Sequence, residues 1–184
     1  KKNWGYELGH IRGLEQQHYT NSKDNVYLED GNLVIKATNR KPEDQYEVTQ
    51  GDTTRKVIYD SGSVRTHGKQ EFLYGRIEMK AKLPKGKGAF PAFWTLGSDF
   101  TLDGRISSEQ GAPWPVCGEI DIMEHRNAET RVIGTLHWNP STTNYEHIYA
   151  GSETTNSYGA IDTIENWHTY AIEWYENCMK WCVD

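Results

Sequence analysis

The stretch Cys117–His125 reads CGEIDIMEH and places three carboxylates among residues that otherwise favour the middle of a β-strand. Side chains alternate between the two faces of a regular strand, so Glu119 and Asp121 share one face and Glu124 lies on the other. A β-bulge that absorbs one residue near positions 122–123 returns Glu124 to the side of the first two acids. We therefore predict a bulged strand that carries three acids on one face.

Three carboxylates on one face repel each other, and this repulsion raises the pKa of at least one of them towards neutrality. Glycoside hydrolysis needs such a set, because one carboxylate must be ionised while another carboxyl group stays protonated. A retaining enzyme holds the two groups about 5–5.5 Å apart. The alternative is an acidic strand face that pairs with Lys or Arg across a sheet. The aromatic residues on both sides of the stretch favour catalysis.

The acidic motif resembles the bulged signature of glycoside hydrolase family 16, in its laminarinase-like (endo-β-1,3-glucanase) branch. Its neighbours in the sequence extend this resemblance, because they occur in the order that the family uses. These segments are YGRIE at 74–78, PAFWTLG at 91–97, WPVCG at 114–118 and GTLHW at 134–138. The resemblance covers nearly all of the chain, but only about three quarters of the family's domain, and it implies a retaining, endo-acting hydrolase of β-1,3-glucan of the laminarin type.

The resemblance also assigns roles to the three acids. It implies that Glu119 is the nucleophile, that Glu124 is the acid/base, and that Asp121 forms a hydrogen bond that tunes Glu119. Mixed-linkage β-1,3-1,4-glucan is a further candidate substrate. Two alternatives stay open: a non-catalytic β-glucan-binding module on the same fold, and a transglycosylase, which would use the same residues.

Further candidates for contacts with substrate are aromatic or polar residues near the acids or at the expected edge of the cleft. For Arg76 the resemblance suggests this role, with a plain surface cation as the alternative. A solvated polar side chain is the alternative for Asn39, and a structural histidine is the alternative for His137. The full set of candidates is Trp114, Arg76, Trp94, His137, Trp138 and Asn39.

Short strands at close spacing with turn residues between them predict an all-β sandwich. The strongest local signal is a hairpin over residues 25–37, with Asp30-Gly31 as its turn. The resemblance narrows the fold to a jelly roll of two stacked antiparallel sheets with a concave glycan-binding cleft. Two further strands are predicted over residues 57–66 and 70–83, the second with one apolar and one polar face. Polar stretches without periodicity at 39–56, 98–113 and 139–166 are predicted to be loops.

Length and charge narrow the class of protein and partner. The 184 residues fit one domain, which we predict to span 1–184. A net charge of −6 argues against nucleic acid and favours a neutral β-glucan. The sequence lacks metal-binding His and Cys motifs, so no metal site and no cofactor are expected. Some members of the family bind a structural Ca²⁺, but the segments that supply most of its ligands have no counterpart here.

The ends of the chain lead to expectations about location and completeness. The resemblance implies a secreted or extracellular protein, although the first residues lack the apolar segment of a signal peptide. No run of about 18 apolar residues is present to span a membrane. Compared with the family, strands are missing at both ends. We therefore expect either an incomplete domain or a second chain that supplies the missing strands.

Overall fold

The fold is taken from a computed structural model that describes residues 2–100, 112–141, 144, 146–153 and 165–184. These residues form sixteen β-strands and one short 3-10 turn, Pro42–Asp44, which confirms the predicted all-β class. No described segment forms a helix that is long and apolar enough to cross a membrane. The chain divides into two compact units, Lys1–Glu71 and Phe72–Asp184. The prediction of one domain over 1–184 stays a prediction.

The first unit consists of short strands in four small sheets. Its pairs are β1 with β9, β3 with β4 and β6 with β7, and a three-stranded sheet has the order β2-β8-β5. The β2–β8 pair is parallel and the others are antiparallel. The strands are β1 (Gly5–Tyr6), β2 (Gln17–Tyr19), β3 (Val26–Glu29), β4 (Asn32–Ile35), β5 (Thr38–Asn39), β6 (Tyr46–Gln50), β7 (Thr53–Val57), β8 (Tyr59–Ser61) and β9 (Val64–Arg65).

The predicted hairpin is confirmed by β3 and β4. Asp30 and Gly31 both adopt positive φ angles, 49° and 78°, which a two-residue turn between right-twisted strands requires. The predicted loop at 39–56 is wrong, because residues 46–50 and 53–57 pair as the β6–β7 hairpin. Only Tyr46 and Val48 alternate with polar residues in β6, and β7 is polar except for Val57 at its end, so the sequence shows too short a period to indicate a hairpin.

The second unit contains two antiparallel sheets, with strand orders β10-β15-β16 and β11-β12-β13-β14. Residues 148–153 form a strand inside the predicted loop 139–166, so that prediction is wrong at this point. The predicted loop 98–113 lies mostly outside the described residues. The strands are β10 (Gly75–Ala81), β11 (Ala92–Leu96), β12 (Glu119–Glu124), β13 (Ile133–Trp138), β14 (Ile148–Glu153), β15 (His168–Trp174) and β16 (Met179–Val183).

The two sheets of the second unit pack face to face around an apolar core. Met123 on β12 and Tyr170 on β15 are each 1% exposed and belong to one cluster with Leu83 and Val132. A hydrogen bond also joins the sheets, because the indole N–H of Trp181 donates to the carbonyl oxygen of Asp121 over 2.8 Å. The core therefore covers the inner face of β12 and leaves the other face for the acids.

Candidate active site

The bulge predicted in the acidic stretch is present. Against β13, the partners of Asp121 and Glu124 are Thr135 and Ile133, so three steps along β12 oppose two along β13. The pairing with β11 shifts at the same place. One extra residue therefore lies between Asp121 and Glu124. Because of it, Met123 points into the core while both acids lie on the opposite, outward face.

Two neighbouring strands add aromatic side chains to this outward face. Trp94 on β11 lies opposite Asp121, and His137 on β13 lies opposite Glu119. Directly paired residues in an antiparallel sheet project to the same side. The structure therefore brings Trp94 and His137 to the acids, as the sequence predicts.

Glu119 receives a hydrogen bond from Trp114, another of the predicted residues. The indole N–H of Trp114 donates to Oε2 of Glu119 over 2.6 Å. Trp114 reaches the acid from the turn that precedes β12, where the chain passes through Gly118 with a positive φ of 76°. This contact fixes the indole of Trp114 beside the carboxyl group of Glu119.

Asp121 is the most buried of the three acids, with 1% of its surface exposed. Burial, then the charges of Glu119 and Glu124, then a hydrogen bond with Glu119 raise the pKa of Asp121 to about 8. At neutral pH Asp121 is therefore mostly protonated. The direction of this shift agrees with the prediction that one acid of the cluster keeps its proton near neutrality, which stays a prediction.

Glu124 is half-buried, and burial is the main reason why its pKa is raised. The charge of Glu119 raises this pKa further, and the positive charge of Arg126 opposes both effects. A carboxyl group with a raised pKa is suited to donate a proton near neutral pH. Glu124 therefore has the environment that a general acid needs.

His137 connects the acids to a residue that the sequence analysis missed. Its Nε2 lies 3.1 Å from Oδ2 of Asp121, outside good hydrogen-bond geometry, and its Nδ1 lies 2.8 Å from Nε2 of His147. Burial lowers the pKa of His137, so at neutral pH it meets a neutral Asp121 and the contact is not an ion pair. The rings of Trp114 and Tyr149 pack against this histidine pair.

Two other predicted residues of this unit are not brought to the acids, and a third belongs to the first unit. Trp138 follows His137 in a regular strand, so it projects from the opposite face of β13. Arg76 on β10 forms ion pairs with two acids of its own sheet, Glu78 at 2.7 Å and Glu173 at 3.2 Å. Asn39 belongs to the first unit and pairs with Tyr59. A role in binding substrate stays a prediction for each of them.

The set Glu119, Asp121 and His137 could also be considered as a metal site. One ligand atom from each lies within 4.8 Å of the others, and among the described residues no other such group occurs. A cation that binds here would have to displace the proton of Asp121. The absence of a metal remains a prediction.

Comparisons with known proteins agree with this geometry. The family described as glycosyl hydrolases family 16 matches residues 14–184 of the chain. The glucan endo-1,3-beta-glucosidase A1 of Niallia circulans is 36% identical, and the alignment covers 98% of this chain and 26% of that protein. For the first curated relatives, the chain spans between 26% and 60% of their length.

Solved structures show the same likeness. LamA from Z. galactanivorans, crystallised with laminaritriose and laminaritetraose, is 33% identical with a TM-score of 0.75 over 99% of this chain and 71% of that one. The laminarinase catalytic domain from Thermotoga maritima is 36% identical with a TM-score of 0.69 over 98% and 67%. This likeness confirms the predicted jelly-roll fold class.

Proposed function

The chain belongs to glycosyl hydrolases family 16, and from this membership we propose that it is a retaining, endo-acting glycoside hydrolase that cleaves β-1,3-glucan of the laminarin type. One observation carries the proposal. The bulge at positions 122–123 places Glu124 on the same face as Glu119 and a protonated Asp121. An ionised nucleophile and a protonated acid can then act on one glycosidic bond.

Glu119 is the proposed nucleophile because its neighbours stabilise its negative charge. The N–H of Trp114 donates to one of its oxygens, and the protonated Asp121 shares a hydrogen bond with it. Attack on the anomeric carbon forms a neutral glycosyl–enzyme ester, and the electron pair of the broken glycosidic bond goes to the leaving oxygen, which Glu124 protonates. Asp121 remains protonated in the resting enzyme and keeps Glu119 oriented.

Glu124 is the proposed acid/base. Its raised pKa lets it hold a proton that it gives to the departing glycosidic oxygen. The same residue, now ionised, removes a proton from the water that hydrolyses the ester. No step of this mechanism uses a metal or an organic cofactor.

The relatives support a neutral β-glucan as substrate. They include proteins named glucan endo-1,3-beta-glucosidase and a solved complex with laminari-oligosaccharides. Mixed-linkage β-1,3-1,4-glucan is proposed as a further substrate, since two relatives are named endo-1,3-1,4-beta-glycanases. β-Glucan polysaccharides are too large to enter cells intact, so we also propose a secreted or extracellular location.

A panel of polysaccharides tests the proposal. Purified protein is incubated in parallel with laminarin, lichenan, agarose and xyloglucan, and new reducing ends are measured over time. We expect rapid release from laminarin, slower release from lichenan and none from the other two. The variant Glu119→Gln is the control for contaminating activity.

Three outcomes of this panel would contradict the proposal. Binding of laminarin without any cleavage would indicate a glucan-binding module. Products longer than the substrate would indicate a transglycosylase. Cleavage of agarose alone would refute the assignment of the substrate.

A further inference from the structure

The outward face of β12 continues beyond Glu124, because β11 and β12 remain hydrogen-bonded past this residue. The backbone N–H of His125 donates to Pro91 over 3.2 Å, and that of Asn127 donates to Ala89 over 2.8 Å. His125 is fully buried. Alternation therefore returns Arg126 to the outward face, about 7 Å along the chain from Glu124.

Arg126 and Phe90 form a paired surface at this position. The guanidinium carbon of Arg126 lies 5.5 Å from the centre of the Phe90 ring, and the ring itself is 48% exposed. Stacking on an aromatic ring orients the flat guanidinium group and leaves its N–H donors at the edge free to meet an acceptor. A side chain held in this way loses less entropy when it binds a ligand.

The backbone beneath this pair is held in a defined turn. Asn127 adopts a positive φ of 59°, and its side-chain oxygen accepts a hydrogen bond from the N–H of Gly88 over 2.8 Å. Its carbonyl oxygen accepts another from Gly86 over 3.0 Å. Together with Arg126 and Phe90, this turn lines an open cavity of about 330 Å³. This depression is shallow and open to solvent.

The positive charge of Arg126 has no close acidic partner in the described part of the chain. Two acids lie near it in the sequence. Glu129 is paired with Arg131 at 2.7 Å, and Glu124 senses the charge of Arg126, which lowers its pKa, without forming an ion pair with it. A planar cation with free donors is the group that best recognises a carboxylate or a sulfate ester.

We infer that Arg126 and Phe90 form a subsite for a sugar residue that carries an anionic substituent, a carboxylate or a sulfate, next to the bond that is cleaved. The sugar ring contacts the Phe90 edge of the cavity, and its anionic group accepts hydrogen bonds from Arg126. This inference rests on the proposed glycoside hydrolase activity. The subsite would extend the accepted substrates from neutral glucan to glucan that carries acidic groups. Without it, the acidic residues of β12 would repel such a substrate.

Matched oligosaccharides test the inference. Laminari-oligosaccharides of one length are prepared in neutral, carboxymethylated and sulfated form, and kcat/KM is measured for each at low ionic strength. For Arg126→Gln we expect the ratio of anionic to neutral kcat/KM to fall about tenfold, the size of one hydrogen bond to a charged group. The two anionic forms show which substituent is preferred. Arg126→Lys keeps the charge but lacks the planar guanidinium group. Its ratio of anionic to neutral kcat/KM should lie between those of the wild type and Arg126→Gln.

The matched control is Lys180→Gln. Lys180 is an exposed cation 5.5 Å from the ring centre of Tyr175, and it lies on β16, in the other sheet of this unit. This substitution should leave the ratio unchanged. Thermal unfolding of each variant checks that folding is intact.

Calorimetric binding of the same oligosaccharides in the Glu119→Gln background separates the inference from the proposed function. The inference would be overturned if Arg126→Gln left both the ratio of anionic to neutral kcat/KM and the affinity for the anionic oligosaccharides unchanged, even if neutral laminarin is cleaved. Failure to cleave neutral laminarin, with Arg126-dependent binding of the anionic forms, would overturn the proposed function and leave the subsite standing.

Discussion

At the scale of single residues, the chemistry depends on which carboxyl groups of a crowded set carry charge. Asp121 is almost completely buried and keeps its proton to a pKa of about 8. His137, which contacts Asp121, is also neutral at pH 7, because burial lowers the pKa of its imidazole. The site therefore holds Glu119, the proposed nucleophile, between the indole of Trp114 and a protonated Asp121.

Glu119→Ala should lower hydrolysis of laminarin by roughly 10⁴-fold or more, since no glycosyl–enzyme ester can form without the nucleophile. Azide should then restore cleavage of an activated β-glucoside and give an α-glycosyl azide. Glu124→Ala should behave differently and keep part of its rate on a substrate with a good leaving group. Turnover of laminarin by Glu119→Ala at the wild-type rate would end the assignment.

Asp121 should also make stability depend on pH. Its pKa is about 8 in the folded protein and 3.8 in the reference state, so the folded protein binds an extra proton between these values. The stability that this proton contributes is full below pH 3.8 and is lost as pH rises through 8. Relative to Asp121→Asn, the wild type should lose at least about 1 kcal/mol of unfolding free energy between pH 4 and pH 9.

Urea unfolding at several pH values measures this difference, with the exposed Asp24→Asn as control. The control should follow the wild type at every pH. Parallel curves for Asp121→Asn and the wild type would show that Asp121 is ionised in the folded protein at neutral pH.

Sequence reasoning found the residues whose position follows from local rules. Glu119, Asp121 and Glu124 are separated by a spacing that only a bulge reconciles, and Trp114 immediately precedes them. His147 was not predicted, because it lies in a polar stretch without periodicity and reaches the site only through pairing of β13 with β14. Such long-range pairing leaves no trace in a short window of sequence.

At the scale of elements, β13 is held close to β16 by a glycine. A Cβ atom at Gly134 would lie 2.3 Å from the indole ring of Trp181. The same indole donates to the backbone of Asp121. The absence of a side chain at Gly134 therefore lets Trp181 support the bulged strand from behind.

Gly134→Ala should destabilise the protein by about 1–3 kcal/mol, because the indole must move from its packed position. Activity should fall as well, since the hydrogen bond to Asp121 is disturbed. Urea unfolding and laminarin hydrolysis measure the two effects. Gly5→Ala is the control, because its new Cβ atom would make ordinary contact at 3.5 Å. An unchanged midpoint for Gly134→Ala would contradict this role for Trp181.

The elements differ in how far the sequence predicts them. The β10 strand was predicted from its alternating apolar residues, and its Met79 and Ala81 do pack on the core. The predicted strand at 70–83 was too long, however, and the structure limits it to 75–81. The predicted strand at 57–66 is instead the end of β7 followed by β8 and β9. Short strands of two or three residues contain too few side chains to show a period.

At the scale of the whole molecule, the expected activity has a stereochemical signature. Attack by Glu119 and hydrolysis of the resulting ester each invert the anomeric carbon, so the proposed double displacement retains its configuration. Proton NMR of early laminarin products should therefore show the β-anomer first. The α-anomer as first product would refute the retaining mechanism.

Chelation tests the role of metals in the whole protein. We expect that dialysis against EDTA leaves kcat/KM on laminarin within about twofold of the untreated value, because every proposed step uses side chains alone. The unfolding temperature should also remain unchanged. Loss of activity that Ca²⁺ restores would instead reveal a structural calcium ion.

The bulge at positions 122–123 makes the shape of β12 depend on the number of residues between Asp121 and Glu124 as much as on their identity. Apolar exchanges at Ile122 or Met123 keep the length of this segment and therefore the bulge. Loss of one of these two residues would instead restore a regular strand, in which a Glu two positions after Asp121 already lies on the same face. The acidic face would survive such a deletion, and only the local twist and bend that the bulge gives to the strand would be lost.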